Sequence, residues 1–297
     1  SRDFEWNMTL NLAHNQNKLI SLDGETQSLY LGNIFGATNG PTMKVTVGEK
    51  YGGIYGWDYE RDASGNKIVN LVYGNGAYCN TVIGTTYKTT KDQVLIGNAT
   101  PDVTGGLNTS LRYKSFSLYV LADFSYGGDI WSGDYATALQ CGLSPSTLYE
   151  RDGNGLPFTY GDGTKANHGI IMDGVLEDGS KNTNVVHYTW KYGRLGSWGG
   201  NASRNQLSTP SILKNNWIKL REVTLTWNVP SKLVQATRIF QTAQLSFTGR
   251  DLFYIYSSLP DKINPEATSM QTGNAQGMMF GALPGIRSFT FAVKVSF

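Results

Sequence analysis

The sequence Ser288-Phe-Thr-Phe-Ala-Val-Lys-Val-Ser-Phe297 ends the chain in an unbroken alternation of apolar and polar residues. Strict alternation is typical of a β-strand that has one apolar and one polar face. A tilted strand of about 9–11 residues is long enough to cross a lipid bilayer. The segment therefore predicts a membrane-spanning strand whose apolar face carries Phe289, Phe291, Val293, Val295 and Phe297.

The same alternation recurs along the chain, in residues 4–12, 105–113, 116–126, 223–227 and 245–255. Only Lys114 and Ser115 separate the second and third of these segments, which predicts a hairpin with a very short connection. Residues 218 and 220 have the opposite parity to residues 223–227, so we expect a β-bulge or a change of environment near Arg221. The whole pattern predicts an all-β fold with about six long antiparallel strands.

The connections between these strands differ greatly in length. Three are long, at about residues 16–104, 130–214 and 257–286, whereas the others are short. Short turns at one rim and long loops at the other are typical of an outer-membrane β-barrel, whose long loops lie outside the cell. About six strands cannot close such a barrel, and lipid does not tolerate open sheet edges. Residues 1–297 are therefore expected to form one domain, which is the C-terminal part of a larger barrel. The plug and the early strands of that barrel are expected to be absent from these residues.

A barrel assigns different surroundings to the two faces of each strand. The apolar face is expected to contact lipid through Phe4, Trp6, Met8, Leu118, Val120, Phe124, Leu225, Trp227, Leu245, Phe247, Phe291 and Val293. The polar face is expected to line the lumen, where the candidates for contact with a plug or a substrate path are Arg112, Tyr119, Asp123, Arg221 and Lys294.

Composition agrees with this interpretation but does not prove it. The 297 residues carry a net charge of +2, which gives no reason to expect a nucleic-acid partner. Charged residues make up 16% and aromatic residues 12% of the chain, and the mean hydropathy is −0.30. No apolar run approaches the length of a transmembrane helix, about 18 residues. A secreted glycan-binding β-sandwich would have a similar composition, so that class stays open as an alternative.

Several segments, taken in order, resemble the last part of the SusC/RagA family of TonB-dependent nutrient importers. They are Ile96-Gly-Asn-Ala-Thr-Pro-Asp102, Gly105-Gly-Leu-Asn108, Tyr113-Lys-Ser-Phe116, Asp123-Phe-Ser-Tyr-Gly-Gly-Asp129, Trp217-Ile-Lys-Leu-Arg221, Thr248-Gly-Arg-Asp-Leu252 and Leu283-Pro-Gly-Ile-Arg287. The final strand also resembles the C-terminal assembly signal of outer-membrane proteins. Val47-Gly48 and Gly52-Gly-Ile-Tyr-Gly56 also resemble a segment upstream of these, so the matches extend over essentially the whole chain.

The resemblance implies a plugged barrel of about 22 strands in the bacterial outer membrane, which this chain would cross several times. It also implies a SusD-like surface lipoprotein as a lid, TonB as the energy-coupling partner of the missing N-terminal part, and a glycan or an oligopeptide as substrate. An iron-chelate receptor would use the same barrel, and only the resemblance favours the nutrient importer. The chain by itself is not expected to transport anything.

Aromatic residues in the long connections are candidates for stacking on a sugar or for contact with the lid, because a flat ring offers apolar area with a polar edge. They are Trp131, Tyr135, Tyr160, Trp190, Tyr192 and Trp198. No nucleophile elbow, phosphate loop or metal-ligand spacing is present, so the sequence predicts no catalytic residue, no metal site, no cofactor and no enzyme. The disulfide state of Cys79 and Cys141 stays open.

Overall fold

The computed structural model describes residues 3–33, 40–74, 81–148, 153–192, 207–269 and 273–297. The strands, in chain order, are β1 (Phe4–His14), β2 (Ser28–Gly32), β3 (Thr42–Thr46), β4 (Gly53–Gly56), β5 (Val69–Tyr73), β6 (Val82–Tyr87), β7 (Val94–Asn98), β8 (Val103–Tyr113), β9 (Phe116–Tyr126), β10 (Asp129–Ser132), β11 (Leu156–Thr159), β12 (Lys165–Ile171), β13 (Val185–His187), β14 (Ile212–Lys214), β15 (Trp217–Asn228), β16 (Thr242–Ser257), β17 (Met278–Met279) and β18 (Ser288–Ser296). The helices are α1 (Gly133–Gln140), α2 (Thr189–Tyr192) and α3 (Ser231–Gln235).

The largest sheet has six antiparallel strands in the order β1-β8-β9-β15-β16-β18. These are the strands that alternation predicts, and the sheet does not close within the described residues. Lys114 adopts a φ of 53° in the two-residue connection between β8 and β9, as a tight hairpin turn requires. The last strand ends at Ser296, one residue earlier than the sequence pattern suggests. The prediction of an all-β fold that is part of a larger barrel is therefore confirmed.

Register places the apolar residues of all six strands on one face of this sheet. Trp6 lies opposite Leu111, and Leu111 lies opposite Leu118. The same face continues through the other strands, with Leu118 opposite Leu225, Leu225 opposite Phe247 and Phe247 opposite Phe291. Trp6 is 59% exposed and Phe291 is 67% exposed, so no second sheet covers this face among the described residues. An exposed apolar surface of this extent marks an interface with lipid or with another protein.

The bulge that parity predicts occurs at Arg221. The register of β15 shifts between Leu220 and Glu222 in its pairing with β9 and also in its pairing with β16. A bulge inserts one residue and turns its side chain out of the regular alternation. Arg221 therefore lies on the polar face, and its guanidinium reaches Asp123 on β9.

The two ends of the six-stranded sheet differ as the connection lengths suggest. At one end lie the β8–β9 turn and residues 229–241 with α3, while the long segments 15–102, 127–216 and 258–287 leave from the other end. We call these three the first, second and third outer segments. They contain their own small sheets, which are β2-β3-β4-β7, β5-β6, β11-β12-β13 and β14-β10-β17.

The outer segments share apolar cores. One buried cluster joins Tyr59, Val69 and Tyr87 of the first segment to Met172 and Val186 of the second. A second cluster joins residues of all three segments, namely Met43, Ile54, Trp131, Ala275 and Met278. The outer segments therefore pack against one another above the sheet, and we call the three packed segments the outer assembly. In the described part of the chain, no helix combines the length and the apolar character needed to cross a membrane.

Candidate functional site

The polar face of the six-stranded sheet carries the five residues that sequence reasoning assigns to a lumen. Pairing places Arg112 opposite Ser117, Tyr119 opposite Thr224, and Lys294 opposite Gln244, all on the face away from Trp6 and Phe291. Arg112 donates to Glu5 of β1 with an N–O distance of 2.8 Å, and both side chains are about half exposed. Orientation toward the lumen of a closed barrel stays a prediction for all five residues.

Arg221 organises a cluster of charged groups at the outer end of this face. Its Nη2 lies 2.6 Å from Asp123 Oδ2 and 2.6 Å from Glu266 Oε1, and its Nη1 lies 2.8 Å from Asp251 Oδ1. Lys219, whose side chain is only 8% exposed, adds a second cation at 2.6 Å from Glu266 Oε2 and 2.9 Å from Asp251 Oδ1. Because the charges are only partly hydrated, their mutual pairing is what makes this burial tolerable.

Glu266 connects the third outer segment to the polar face of the six-stranded sheet. It lies in residues 258–287, yet it accepts hydrogen bonds from Lys219, Arg221 and the Tyr254 hydroxyl. Burial raises its pKa, but hydrogen bonds from Arg221, Lys219 and Tyr254 outweigh burial, so the pKa of Glu266 lies below its ordinary value. Glu266 therefore stays ionised at neutral pH and holds the third outer segment on the polar face.

Sequence reasoning did not identify Lys219, Asp251, Tyr254 or Glu266 as members of this cluster. For two of them the sequence holds a local signal, which is a charged residue in a predicted strand. Lys219 precedes the predicted bulge by two residues, and Asp251 directly follows Arg250. Asp251 has a φ of 53°, which takes it out of regular alternation. Glu266 had no such signal, since it lies far along a connection whose path the pattern does not define.

The six candidate aromatic residues do not form one surface. Trp131 is 7% exposed and belongs to a buried cluster, so its ring faces are used in packing and it does not fit the prediction of substrate stacking. Trp190 is half-buried against the first buried cluster. Tyr135 lies half-buried on α1. Trp198 and the side chain of Tyr192 lie outside the part of the chain that the structure describes.

Trp190 packs on the backbone of Gly84 in β6. A Cβ built on Gly84 would lie 2.0 Å from Trp190 Cε2, so no other residue fits there without moving the indole. We expect Gly84→Ala to lower the free energy of unfolding of the outer assembly by about 1–3 kcal/mol through overpacking. Thermal unfolding of the receptor followed by Trp fluorescence would measure the effect. Gly161→Ala is the matched control, because its Cβ would meet nothing within 4 Å.

Tyr160 lies between two histidines on neighbouring strands. Its hydroxyl is 2.6 Å from His168 Nδ1 and 3.0 Å from His187 Nε2, and His187 Nδ1 is 2.8 Å from Thr189 Oγ1. One hydroxyl proton can serve only one imidazole, so the other imidazole must donate its own N–H to the phenol oxygen. Each of these hydrogen bonds has one donor and one acceptor when both imidazole rings are neutral. The Tyr160 hydroxyl is then already hydrogen-bonded within the protein, whereas the predicted contact with a sugar would use that hydroxyl.

The histidine network predicts a pH dependence. Burial, and secondarily the charge of His168, lower the pKa of His187, so the folded protein binds this proton less readily than the unfolded chain does. Stability from this group is therefore present above about pH 6.5 and is lost as the pH falls below it. Hydrogen exchange of residues 156–187, corrected for intrinsic rates, should be faster at pH 5.5 than at pH 7.5. His187→Gln should abolish that difference, whereas His14→Gln should leave it unchanged.

One cavity adjoins the Arg221 cluster, and another lies in the outer assembly. One, of about 790 Å³, lies between β16 and the third outer segment, and Lys219, Asp251 and Tyr254 are among its lining residues. The other, of about 570 Å³, lies in the outer assembly, where Lys67 Nζ is 4.5 Å from the ring centroid of Tyr59. Both volumes fall in the range of ligand sites, roughly 300–1,000 Å³. Within the described residues, no three His, Cys, Asp or Glu side chains are grouped in a way that could hold a metal ion.

Of the two cysteines, only Cys141 lies in the part of the chain that the structure describes. Cys141 follows α1 and carries an exposed free thiol. Cys79 lies outside the described residues, so its state is not known from the structure.

Comparison with known proteins finds similarity to two TonB-dependent receptors. The chain is 25% identical over 309 aligned positions to TonB-dependent receptor P3 of Formosa agariphila, which covers all of the chain and 27% of that receptor. It is 28% identical over 136 positions to TonB-dependent receptor P26 of the same organism, with 44% of the chain and 14% of the receptor covered. No protein-family model matches the chain.

Solved structures give the same answer for the fold. The RagAB peptide importer in the open-open state matches all of the chain and 27% of its own length, with a TM-score of 0.57 and 16% identity. The RagAB peptide transporter matches with a TM-score of 0.58 and 14% identity, over 28% of its length. The chain thus has the fold of part of the β-barrel of these solved structures. The chain is similar over its whole length to TonB-dependent receptor P3, and it spans about a quarter of the length of that receptor.

Proposed function

We propose that this chain supplies part of the wall and outer loops of an importer in the bacterial outer membrane. The observation that carries the proposal is the two-sided sheet: one face is apolar and exposed on all six strands, and the other carries paired charges. Lipid suits the first face and a hydrated lumen the second. The names of the relatives, which are receptors and importers and not enzymes, support the same function.

The outer assembly is the part that would select cargo. We propose that it forms part of a cavity for a glycan or an oligopeptide and the rim on which a SusD-like surface lipoprotein acts as a lid. The remainder of the receptor would supply the closing strands, the plug and the contact with TonB. Of the predicted aromatic residues, Tyr135, Tyr192 and Trp198 remain candidates for contact with cargo or lid.

The alternative of a secreted β-sandwich glycan-binding module does not fit the structure. A sandwich buries its apolar faces against each other, whereas Trp6, Met8 and Phe291 on this sheet are 59%, 59% and 67% exposed. An iron-chelate receptor shares the barrel architecture and is an outcome that the uptake experiment described below can return.

Thiol labelling of the full receptor in intact cells tests the orientation. Cys141 in the second outer segment is exposed and should react with a membrane-impermeant maleimide. Lys232 on α3 is exposed at the opposite end of the sheet. A Lys232→Cys variant, made in a background with Cys79 and Cys141 changed to Ser, should react only after the outer membrane is permeabilised. Equal labelling of the two positions in intact cells would refute the proposed orientation.

Uptake by the same cells tests the transport function. Fluorescent oligosaccharides, oligopeptides and a ferric chelate, offered separately, should show which cargo enters in a TonB-dependent manner. Entry of the chelate alone would replace the nutrient importer with the iron-chelate receptor. Entry of none of them, with the barrel present in the outer membrane, would contradict import as the function.

A further inference from the structure

Three side chains of the second outer segment converge on one point. Tyr160 directly follows β11, His168 lies on β12 and His187 ends β13, and these three strands form one sheet. The Tyr160 hydroxyl lies 2.6 Å from His168 Nδ1 and 3.0 Å from His187 Nε2. All three side chains are half-buried, so each keeps part of its surface open to solvent. An ion from the medium can therefore reach the point where they meet.

Neighbouring aromatic rings hold the three side chains in place. Phe158 packs edge-on against the rings of Tyr160 and His187, with centroid distances of 5.2 Å and 5.4 Å. Tyr188 packs against the rings of His187 and His168, at centroid distances of 4.3 Å and 6.0 Å. Because packing already restricts these rings, little side-chain freedom is left to lose when a ligand binds.

Thr189 orients His187 in the way that a metal ligand requires. Its Oγ1 lies 2.8 Å from His187 Nδ1 and can accept the proton of that nitrogen. The lone pair of the ring is then on Nε2, the atom that faces Tyr160. A metal-binding histidine commonly donates its other N–H to such a partner, which fixes the tautomer and raises the basicity of the ligating nitrogen.

We propose that Tyr160, His168 and His187 bind a divalent transition-metal ion through the phenol oxygen, Nδ1 and Nε2 respectively. Imidazole nitrogen is a preferred donor for Zn²⁺ and Cu²⁺. In a tetrahedral site with bonds of about 2.0–2.1 Å, the donor atoms lie about 3.3 Å apart. The O–N separations of 2.6 Å and 3.0 Å therefore have to widen by less than about 1 Å. Three protein ligands leave a fourth position for water.

Binding should release a defined number of protons. With both imidazoles neutral, the proton on His168 Nδ1 moves to Nε2 of the same ring, which changes no charge. The phenol proton is lost to solvent when the oxygen bonds to the metal. Each bound ion should therefore release about one proton, whereas a site made of the two imidazoles alone would release none.

The bound ion ties the β11–β12 hairpin to β13. Val186, the residue before His187, belongs to the buried cluster that the first and second outer segments share. The ion therefore stabilises the second outer segment close to the packed centre of the outer assembly. This role does not depend on the cargo that the receptor carries, so the proposal stands or falls separately from the proposed function.

The test uses the full receptor in detergent, made without a histidine tag and stripped of metal with a chelator. Calorimetric titration with Zn²⁺ in two buffers of different ionisation enthalpy should give one saturable site and about one proton released per ion. Cu²⁺ should produce a visible phenolate-to-copper absorption band. Tyr160→Phe should lose that band, release no proton and bind Zn²⁺ at least about tenfold more weakly, because even an outer-shell change costs about 10–100-fold.

Two further variants locate the site. Thr189→Val removes the partner of His187 Nδ1 and should weaken Zn²⁺ binding about tenfold while the copper band persists. His14→Gln is the matched control, because the chain has three histidines and His14 Nδ1 instead meets the backbone oxygen of Asp102. Each metal-free variant should still run as a folded barrel on an unboiled gel, which separates loss of a ligand from loss of the fold. Absence of saturable binding to the parent receptor, or equal binding to the parent and Tyr160→Phe, would overturn the proposal.

Discussion

Arg221→Met should lower the free energy of unfolding of the receptor barrel by about 3 kcal/mol. Removing one partner from a partly buried charge cluster leaves the others uncompensated, at a cost of about 3–5 kcal/mol. The lower end applies here, because the Arg221 side chain is 26% exposed. Without the guanidinium, Asp251 and Glu266 keep Lys219 as their only cation among the described residues, and Asp123 keeps none. The temperature at which the full receptor loses its folded mobility on an unboiled gel would report the change.

Arg250→Met is the matched control for this experiment. Arg250 is on the neighbouring strand and the same face, but its side chain is 58% exposed, and among the described residues it forms an ion pair only with Glu222. Exposed ion pairs contribute about 0–1 kcal/mol, so this variant should behave almost like the parent. Similar losses for the two variants would mean that the Arg221 cluster has no special role in stability.

The strands of the large sheet could be predicted from the sequence because their pattern is local. Alternation in residues 116–126 and 288–296 identifies both faces without knowledge of any neighbour. The bulge at Arg221 was also predictable, since a bulge reverses the parity of the residues on either side of it. The same local logic placed Arg112, Asp123 and Lys294 on one face before their pairing was known.

The outer assembly could not be predicted in the same way. Its strands are short, and their order depends on long-range contacts such as Met43 with Met278. Trp131 looked like an exposed loop aromatic, but β10 pairs with both β14 and β17, and this buries its ring. Glu266 entered the charge cluster because the third outer segment folds back onto the wall. No periodic signal records such a return.

Phe291→Arg should destabilise the barrel in a membrane by about 2–4 kcal/mol, the cost of a cation on the lipid face near the bilayer midplane. Phe291 lies near the middle of β18, opposite Phe247 on the apolar face.

Ala292→Arg is the matched control, because Ala292 is the next residue on the same strand and pairs with Ser246 on the polar face. An arginine there would meet the hydrated lumen and should leave stability and membrane assembly nearly unchanged. The amount of each variant that reaches the outer membrane, and its unfolding by guanidinium in lipid vesicles, would measure the difference. A sandwich-like soluble fold predicts no dependence on lipid for either variant. Equal loss for both would show that the two faces of β18 do not meet different surroundings, and the assignment of lipid and lumen would fail with it.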